Sequence, residues 1–268
     1  MNFYKLSGSG NDFIVIDNMD GTLDGNDWSF WAKQLCRRRI AVGADGLIVI
    51  VPSSVADFKW LFYNADGSSA DMCGNGGRCA ALFAHTQGIA GKKMSFETGV
   101  GIITAEVVDA EVVKIKLTPP HSFREDIPIT LGGKTILVNF VNTGVPHAVC
   151  FEEALTECDV VGLGRAIRTH ETFAPAGTNA NFIRVEKGFI HLRTYERGVE
   201  DETLACGTGA VASSVVAIRK GLAISPVSVG VRSGEILRVH YEESTSEIYL
   251  EGGAVFVYKG EPFEGALR

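Results

Sequence analysis

Two short turns carry the residue types that could do chemistry. Cys73-Gly74-Asn75-Gly76-Gly77 and Cys206-Gly207-Thr208-Gly209-Ala210 each place a cysteine just before a run that reads as a helix, about half the chain apart. A thiol there faces unpaired backbone N–H groups and the positive end of the helix dipole. Both lower its proton affinity, so a thiolate is accessible near neutral pH. The glycines clear the way for close approach of a ligand, and the same N–H groups can hold a carboxylate. One such turn offers a base and an anion site together. With two, one thiolate could take a Cα proton from one face while the other thiol supplies a proton to the opposite face. The amide donors would stabilise the enolate-like charge that develops. That is racemisation or epimerisation of an amino acid without pyridoxal phosphate. A single such turn is as readily a structural cap; the pairing is what points to chemistry. The other four cysteines, Cys36, Cys79, Cys150 and Cys158, read as small buried hydrophobes.

The elements that would position these turns are mostly short β-rich runs. Residues 13–16, 47–51, 59–63, 102–108, 112–117, 135–141, 189–195, 236–241, 247–250 and 255–258 are expected strands. The run at 113–117 alternates strictly, as a half-buried strand should. Helices are expected at 27–38, 76–87 and 207–220. The last has apolar or small residues on every face, which marks a helix buried all round, and it ends at Lys220-Gly221. Each cysteine turn follows several strands and precedes several more. The expected fold is therefore α+β, two pseudo-symmetric domains, each a curled sheet (a partial barrel) around a central helix. Pro119-Pro120 is the natural linker. It divides the chain into 1–118, completed by the C-terminal strand 254–268, and 119–253.

Composition narrows the function. The chain has 268 residues, 46% hydrophobic and 21% charged, with a net charge of −7. That suits a full core and excludes a nucleic-acid binder, which needs clustered Lys and Arg. The one basic run, Arg37-Arg38-Arg39, reads as the solvated end of a helix. No signal peptide is expected from the opening residues, and no apolar stretch reaches membrane-spanning length. Six cysteines in a chain this long do not form a secreted disulfide framework. A cytoplasmic setting with reduced thiols and no membrane association is expected. Gly132-Gly133-Lys134-Thr135 resembles the end of a phosphate loop, but Pro128 stands where its first glycine belongs. Gly8-Ser9-Gly10 lacks the third glycine of a dinucleotide turn and precedes a strand. No spacing supports zinc. No metal and no cofactor are expected.

Several segments together resemble the diaminopimelate epimerase family: Asn11-Asp12-Phe13, the run from Phe62 to Gly67, the run from Cys73 to Cys79, Tyr195-Glu196-Arg197-Gly198, and Ala205 to Gly209. The match runs essentially end to end. The resemblance implies interconversion of LL- and meso-diaminopimelate on the route to lysine and often to peptidoglycan. It implies an active site in a cleft between two domains that closes on substrate, and loss of activity when the two cysteines oxidise to a disulfide. It makes Cys73 and Cys206 the acid/base pair and sets Gly74, Asn75, Gly207 and Thr208 on the carboxylate at the reacting centre. Asn11, Asn64, Asn179, Glu196 and Arg197 would contact the amino groups and the distal carboxylate, and His147 and Glu196 would tune the cysteines. Glu196 beside Arg197 offers the far end of the substrate a cation partner and an anion partner, provided the pair lies at a strand end or turn. The partner is thus a small-molecule substrate; family members can also form homodimers. Val145 and Gly46 depart from the Asn and Gln that many members carry there, although other members share the versions found here.

Three other designs would use some of these residues. A proline-type racemase also uses two cysteines, but the Glu196-Arg197 pair and the Asn11 and Asn64 turns favour a longer, doubly charged substrate. A thiol redox switch would leave the asparagines unexplained. An amino-acid binding protein would need neither thiol.

Overall fold

The computed structural model describes residues 1–267; Arg268, the last residue of the segment 254–268, lies outside the described residues. The chain divides into two compact units, Met1–Ile115 with Gly252–Arg268, and Lys116–Glu251.

In the first unit β1 (Phe3–Gly8) and β2 (Asn11–Asp17) form a hairpin. Ser9 (φ 55°) and Gly10 (φ 87°) make its two-residue turn, both residues at positive φ, which suits the right-handed twist of the flanking strands. The Gly-rich stretch rejected as a dinucleotide turn is this hairpin loop, and it delivers Asn11 at the start of β2. There follow α1 (Trp28–Leu35), β3 (Gly46–Val51), β4 (Phe58–Asn64), α2 (Gly74–Thr86), β5 (Lys93–Thr98), β6 (Gly101–Asp109) and β7 (Val112–Lys116). The second unit holds β8 (His121–Leu131), β9 (Lys134–Asn142), β10 (Pro146–Phe151), α3 (Val160–Arg168), β11 (Asn179–Glu186), β12 (Phe189–Glu196), β13 (Asp201–Thr203), α4 (Gly207–Arg219), β14 (Val227–Gly230), β15 (Ile236–Glu242) and β16 (Glu247–Gly253). The chain then supplies β17 (Val255–Gly260), which pairs antiparallel with β1 in the first unit.

The two units repeat one pattern. In the first, β17, β1 and β2 pair antiparallel, β2–β3 is parallel, β3–β4 antiparallel, β4–β5 parallel, and β5, β6 and β7 antiparallel. In the second, β8, β9 and β10 pair antiparallel, β10–β11 is parallel, β11–β12 antiparallel, β12–β14 parallel, and β14, β15 and β16 antiparallel. A parallel pair needs a crossover. In both units each crossover carries a helix: α1 and α2 in the first, α3 and α4 in the second. Even β13 has a counterpart, the isolated bridge Tyr63↔Ser69 beside β4. The fold is α+β, each unit a curled mixed sheet around one buried helix.

Burial explains which helix goes to the centre. From Asn75 to Ala84 every residue of α2 is buried, against β1, β2, β3 and β6. In α4 every residue from Gly209 to Ala217 is buried, against strands β9 to β12, β14 and β15. Small residues on all sides let strands approach such a helix from every direction. Gly221, at φ 70°, follows the end of α4 as its sequence signal requires. The outer helices are instead amphipathic: α3 buries Val160, Gly164 and Ile167 over a core of Val138, Ala148, Phe182 and Tyr195.

Three sequence expectations need adjustment. The helix expected at 27–38 ends at Leu35, so Arg37-Arg38-Arg39 lies beyond it, with Arg39 at φ 69°. The helix expected at 76–87 starts two residues earlier, at Gly74, because Cys73 itself is its N-cap. Strands β1, β5, β8, β10, β11, β13 and β14 and helix α3 were not expected.

Candidate active site

In the first unit the site grows from the start of α2. Cys73, in extended conformation (φ −148°, ψ 119°), caps the helix, and its Sγ accepts a hydrogen bond from Gly76 N at 3.4 Å. Gly74 and Asn75 are the first two helical residues, whose N–H groups have no partner inside the helix. Asn75 is buried, and its amide belongs to a directed chain. Arg78, one turn on and fully buried, donates to Asn75 Oδ1 at 3.0 Å and to Ser9 Oγ. Asn75 Nδ2 then donates to Asn11 Oδ1 at 2.6 Å, and Asn11 Nδ2 donates to Asp45 Oδ2 at 3.0 Å. A guanidinium can only donate and a carboxylate can only accept, so both amides are held in one orientation.

Asp45 is itself held. Arg38 donates to it at 2.8 Å and also pairs with Asp12. Asp12 takes a second cation, the nearly buried Lys5, at 2.7 Å. Burial works to raise the Asp12 carboxyl, but hydrogen bonds from Arg38 and Lys5 outweigh it and hold the group down to about 2. Arg38, read in the sequence as a solvated helix end, is a positioning residue for the turn that carries Asn11. The reason is tertiary: the loop beyond α1 brings Arg38 to carboxylates from two separate strand ends.

Asn64 ends β4, directly across from Gly46 in the β3–β4 register, and donates to Ser68 Oγ at 3.0 Å. Gly46 leaves no room for a side chain: a Cβ there would lie 2.7 Å from the Phe62 ring and 2.8 Å from Tyr63 O. The Gln that many family members carry at this position does not fit the present packing.

In the second unit the counterpart is the start of α4. Cys206, also extended (φ −124°, ψ 107°), occupies the N-cap, and Gly207 opens the helix. Cys206 Sγ lies 3.5 Å from Thr208 Oγ1, while Thr208 O accepts from Thr143 Oγ1 at 3.2 Å. Glu196, last residue of β12, reaches the same place. Burial raises its carboxyl above the ordinary range, against the pull of hydrogen bonds from Thr203 and Cys206. Arg197 is the first residue past the strand, so the pair does sit at a strand end, and its backbone N–H donates to Asn179 Oδ1 at 2.8 Å. Asn179 Nδ2 donates to Pro146 O at 2.9 Å. The pairing pattern makes Asn64 the counterpart of Glu196, and Gly46 the counterpart of Asn179.

His147, second residue of β10 and level with Asn179 in the parallel register, is fully buried. Burial pushes its ring down to about 3, so it is neutral at physiological pH. Its Nδ1 lies 3.0 Å from Asn181 Nδ2. Asn181 was not singled out from the sequence. The signal was available: Asn179 and Asn181 are two apart on a strand and share a face. Arg78 likewise lies three residues from Asn75, on the same face of α2.

The thiols at Cys36 and Cys150 are pushed up to about 12 by burial, and Cys158 is raised for the same reason. They are poor candidates for proton transfer at neutral pH. Among the described residues no helix is long and apolar enough to cross a membrane.

Of the residues expected from the sequence, Asn11, Gly74 and Asn75 gather around the Cys73 turn, with Asn64 near Asp45. Glu196, Gly207 and Thr208 gather around Cys206. His147, Asn179 and Arg197 form an adjoining group.

Comparison with known proteins identifies the family. The family model described as diaminopimelate epimerase matches residues 3–122 and 139–257. The diaminopimelate epimerase of Aquifex aeolicus (strain VF5) is 48% identical over 279 aligned positions, covering 100% of both chains. Among solved structures, a Bacillus anthracis phenazine biosynthesis protein of the PhzF family superposes with a TM-score of 0.73 at 15% identity, covering 97% of this chain and 98% of that one. A probable proline racemase from Agrobacterium radiobacter K84 gives 0.70 at 15% identity, covering 97% and 92%. At that identity the two structures speak to the fold alone, whereas the family match extends along both units: the chain belongs to the diaminopimelate epimerase family and is an isomerase.

Proposed function

We propose that this enzyme interconverts LL- and meso-diaminopimelate without pyridoxal phosphate, using Cys73 and Cys206 as its two acid/base groups. The observation that carries the proposal is the duplicated setting of the two thiols, each at the N-cap of a buried helix whose first residues are glycine and a polar residue. In one direction a thiolate takes the Cα proton: the C–H bond breaks and an S–H bond forms. The second cysteine gives its S–H proton to the opposite face of the same carbon, and the reverse reaction exchanges the roles. The substrate carboxylate, gaining enolate character, is stabilised by the N–H groups of Gly74, Asn75, Gly207 and Thr208. Each half, residues 1–118 with 254–268 and residues 119–253, contributes one thiol.

Asn11, Asn64, Asn179, Glu196 and Arg197 recognise the amino groups and the far carboxylate, and His147 and Glu196 adjust the proton affinity of the cysteines. The reaction serves lysine and peptidoglycan precursor synthesis in the cytoplasm, where the thiols stay reduced. The test is reduced protein, free of added cofactor, given LL-diaminopimelate. Wild type produces the meso isomer, and Cys73→Ala and Cys206→Ala each lose roughly 100-fold or more in kcat, the scale of a lost acid/base group. Full activity in either variant would overturn the assignment, as would conversion of L-proline but not diaminopimelate by the wild type.

A further inference from the structure

His147 is fully buried, and its Nε2 has no hydrogen-bond partner among the described residues. A buried polar atom left in this state needs an explanation. The surroundings of the other ring nitrogen supply it. Asn181, also fully buried, places Nδ2 3.0 Å from Ala148 O and 3.0 Å from His147 Nδ1. A backbone carbonyl can only accept, so the amide atom facing Ala148 is the nitrogen. The amide oxygen faces Thr194 Oγ1 at 3.0 Å, and the hydroxyl donates to it. The first turn of α4 closes over the same group: a Cβ on Gly209 would lie 2.4 Å from Asn181 Oδ1 and 3.3 Å from Cys206 Cβ. The Ala148 carbonyl, which can only accept, therefore holds the amide in one orientation, and the Thr194 hydroxyl donates to its oxygen. Its second N–H points at His147 Nδ1, which must accept. A neutral imidazole that accepts at one nitrogen carries its proton on the other.

We propose that Asn181 is a positioning residue that fixes the ring proton of His147 on Nε2, so that His147 serves the reaction as a neutral hydrogen-bond donor and not as a base. This rests on the reading of His147 as a residue that tunes the cysteines, and it says how: by offering N–H to an anionic acceptor. A buried Nε2–H with no hydrogen-bond partner among the described residues is a donor kept for a group that becomes negative during turnover. The same network accounts for glycine at position 209, beside Cys206, since any side chain there would displace the amide.

The experiment uses the full-length, reduced, ¹⁵N-labelled enzyme. Two-bond ¹H–¹⁵N correlation spectra separate the two neutral tautomers, and a His147→Gln variant assigns the signal among the six histidines. Wild type is expected to show an unprotonated Nδ1 and a protonated Nε2 from about pH 5 to 8, where an ordinary histidine titrates. In Asn181→Asp the isosteric carboxylate can only accept, so the neutral ring's proton moves to Nδ1 and the donor at Nε2 is lost. In that variant kcat should fall roughly tenfold or more with KM nearly unchanged, the pattern of an interaction made in the transition state. A proton on Nδ1 in wild type overturns the proposal, and that measurement does not depend on any variant folding. An unchanged ring spectrum in Asn181→Asp overturns it too, as does a changed tautomer with unchanged kcat. The tautomer is read whether or not the chain turns over diaminopimelate, so failure of this inference and failure of the proposed activity are separate results.

Discussion

Glu196 keeps a carboxyl group in surroundings where water is scarce, and burial there raises its affinity for a proton. Such a group binds its proton more tightly in the folded chain than in the unfolded one. Folding is therefore most stable while it is protonated, and that stability is lost as pH rises above the ordinary carboxylate value of 4.5 and through the raised one. Glu196→Gln, which mimics the protonated group, should match wild type in denaturant midpoint in acid and exceed it at neutral pH, while losing activity. Equal midpoints at both pH values would show that the carboxyl is not strained by burial. His147 has the opposite sign. Its ring, pushed from 6.5 down to about 3, contributes stability that is complete above pH 6.5 and lost as pH falls toward 3. At this scale the two thiols were legible in the sequence because a cysteine–glycine turn before a helix is a local signal. Asp45, Arg38 and Asn181 were not, since each acts through contacts with residues distant in the chain, such as Asn181 with His147.

Elements make the same distinction visible. α4 could be read from its uninterrupted small and apolar residues, and its central position follows from them. α3 could not: it is nine residues long with two glycines, and its marks are only the Asp159 N-cap and Arg165 and Arg168 in its last turn. β8 is mostly exposed, contains Pro128, and shifts register twice against β9, so it shows no period-2 pattern to read. Two predictions belong here. In an exposed helix a Gly→Ala change usually stabilises, but Gly209→Ala drives a methyl into Asn181. It should destabilise by about 1–3 kcal/mol, the usual penalty of overpacking a full core, read as a lower urea midpoint. A midpoint equal to or above wild type would mean that the first turn of α4 yields easily. In the β1–β2 hairpin, Asp12→Ala strips the nearly buried Lys5 of its carboxylate partner. The expected loss is about 3 kcal/mol, as for other broken buried pairs, with an unchanged denaturant slope. A loss under about 0.5 kcal/mol, the scale of an ordinary surface change, would show that Lys5 is adequately served by Gly43 O alone.

On the scale of the whole molecule, one sequence of strand pairings and crossover helices occurs twice. The near-identity of the two cysteine turns hinted at that repeat, yet most of the pattern was hidden because the halves carry different residues at matching positions: Asn64 in one is Glu196 in the other, and Gly46 is Asn179. A duplicated fold with one thiol per half supports proton removal and proton delivery by different groups. The most direct test follows LL-diaminopimelate in D₂O with reduced enzyme at low conversion. Two separate thiols predict deuterium at Cα of the meso product and almost none in the recovered LL substrate, because the cysteine that removes a proton holds protium until the substrate leaves. Equal deuterium in recovered substrate and product would mean that a single group serves both faces, and would contradict the two-thiol account.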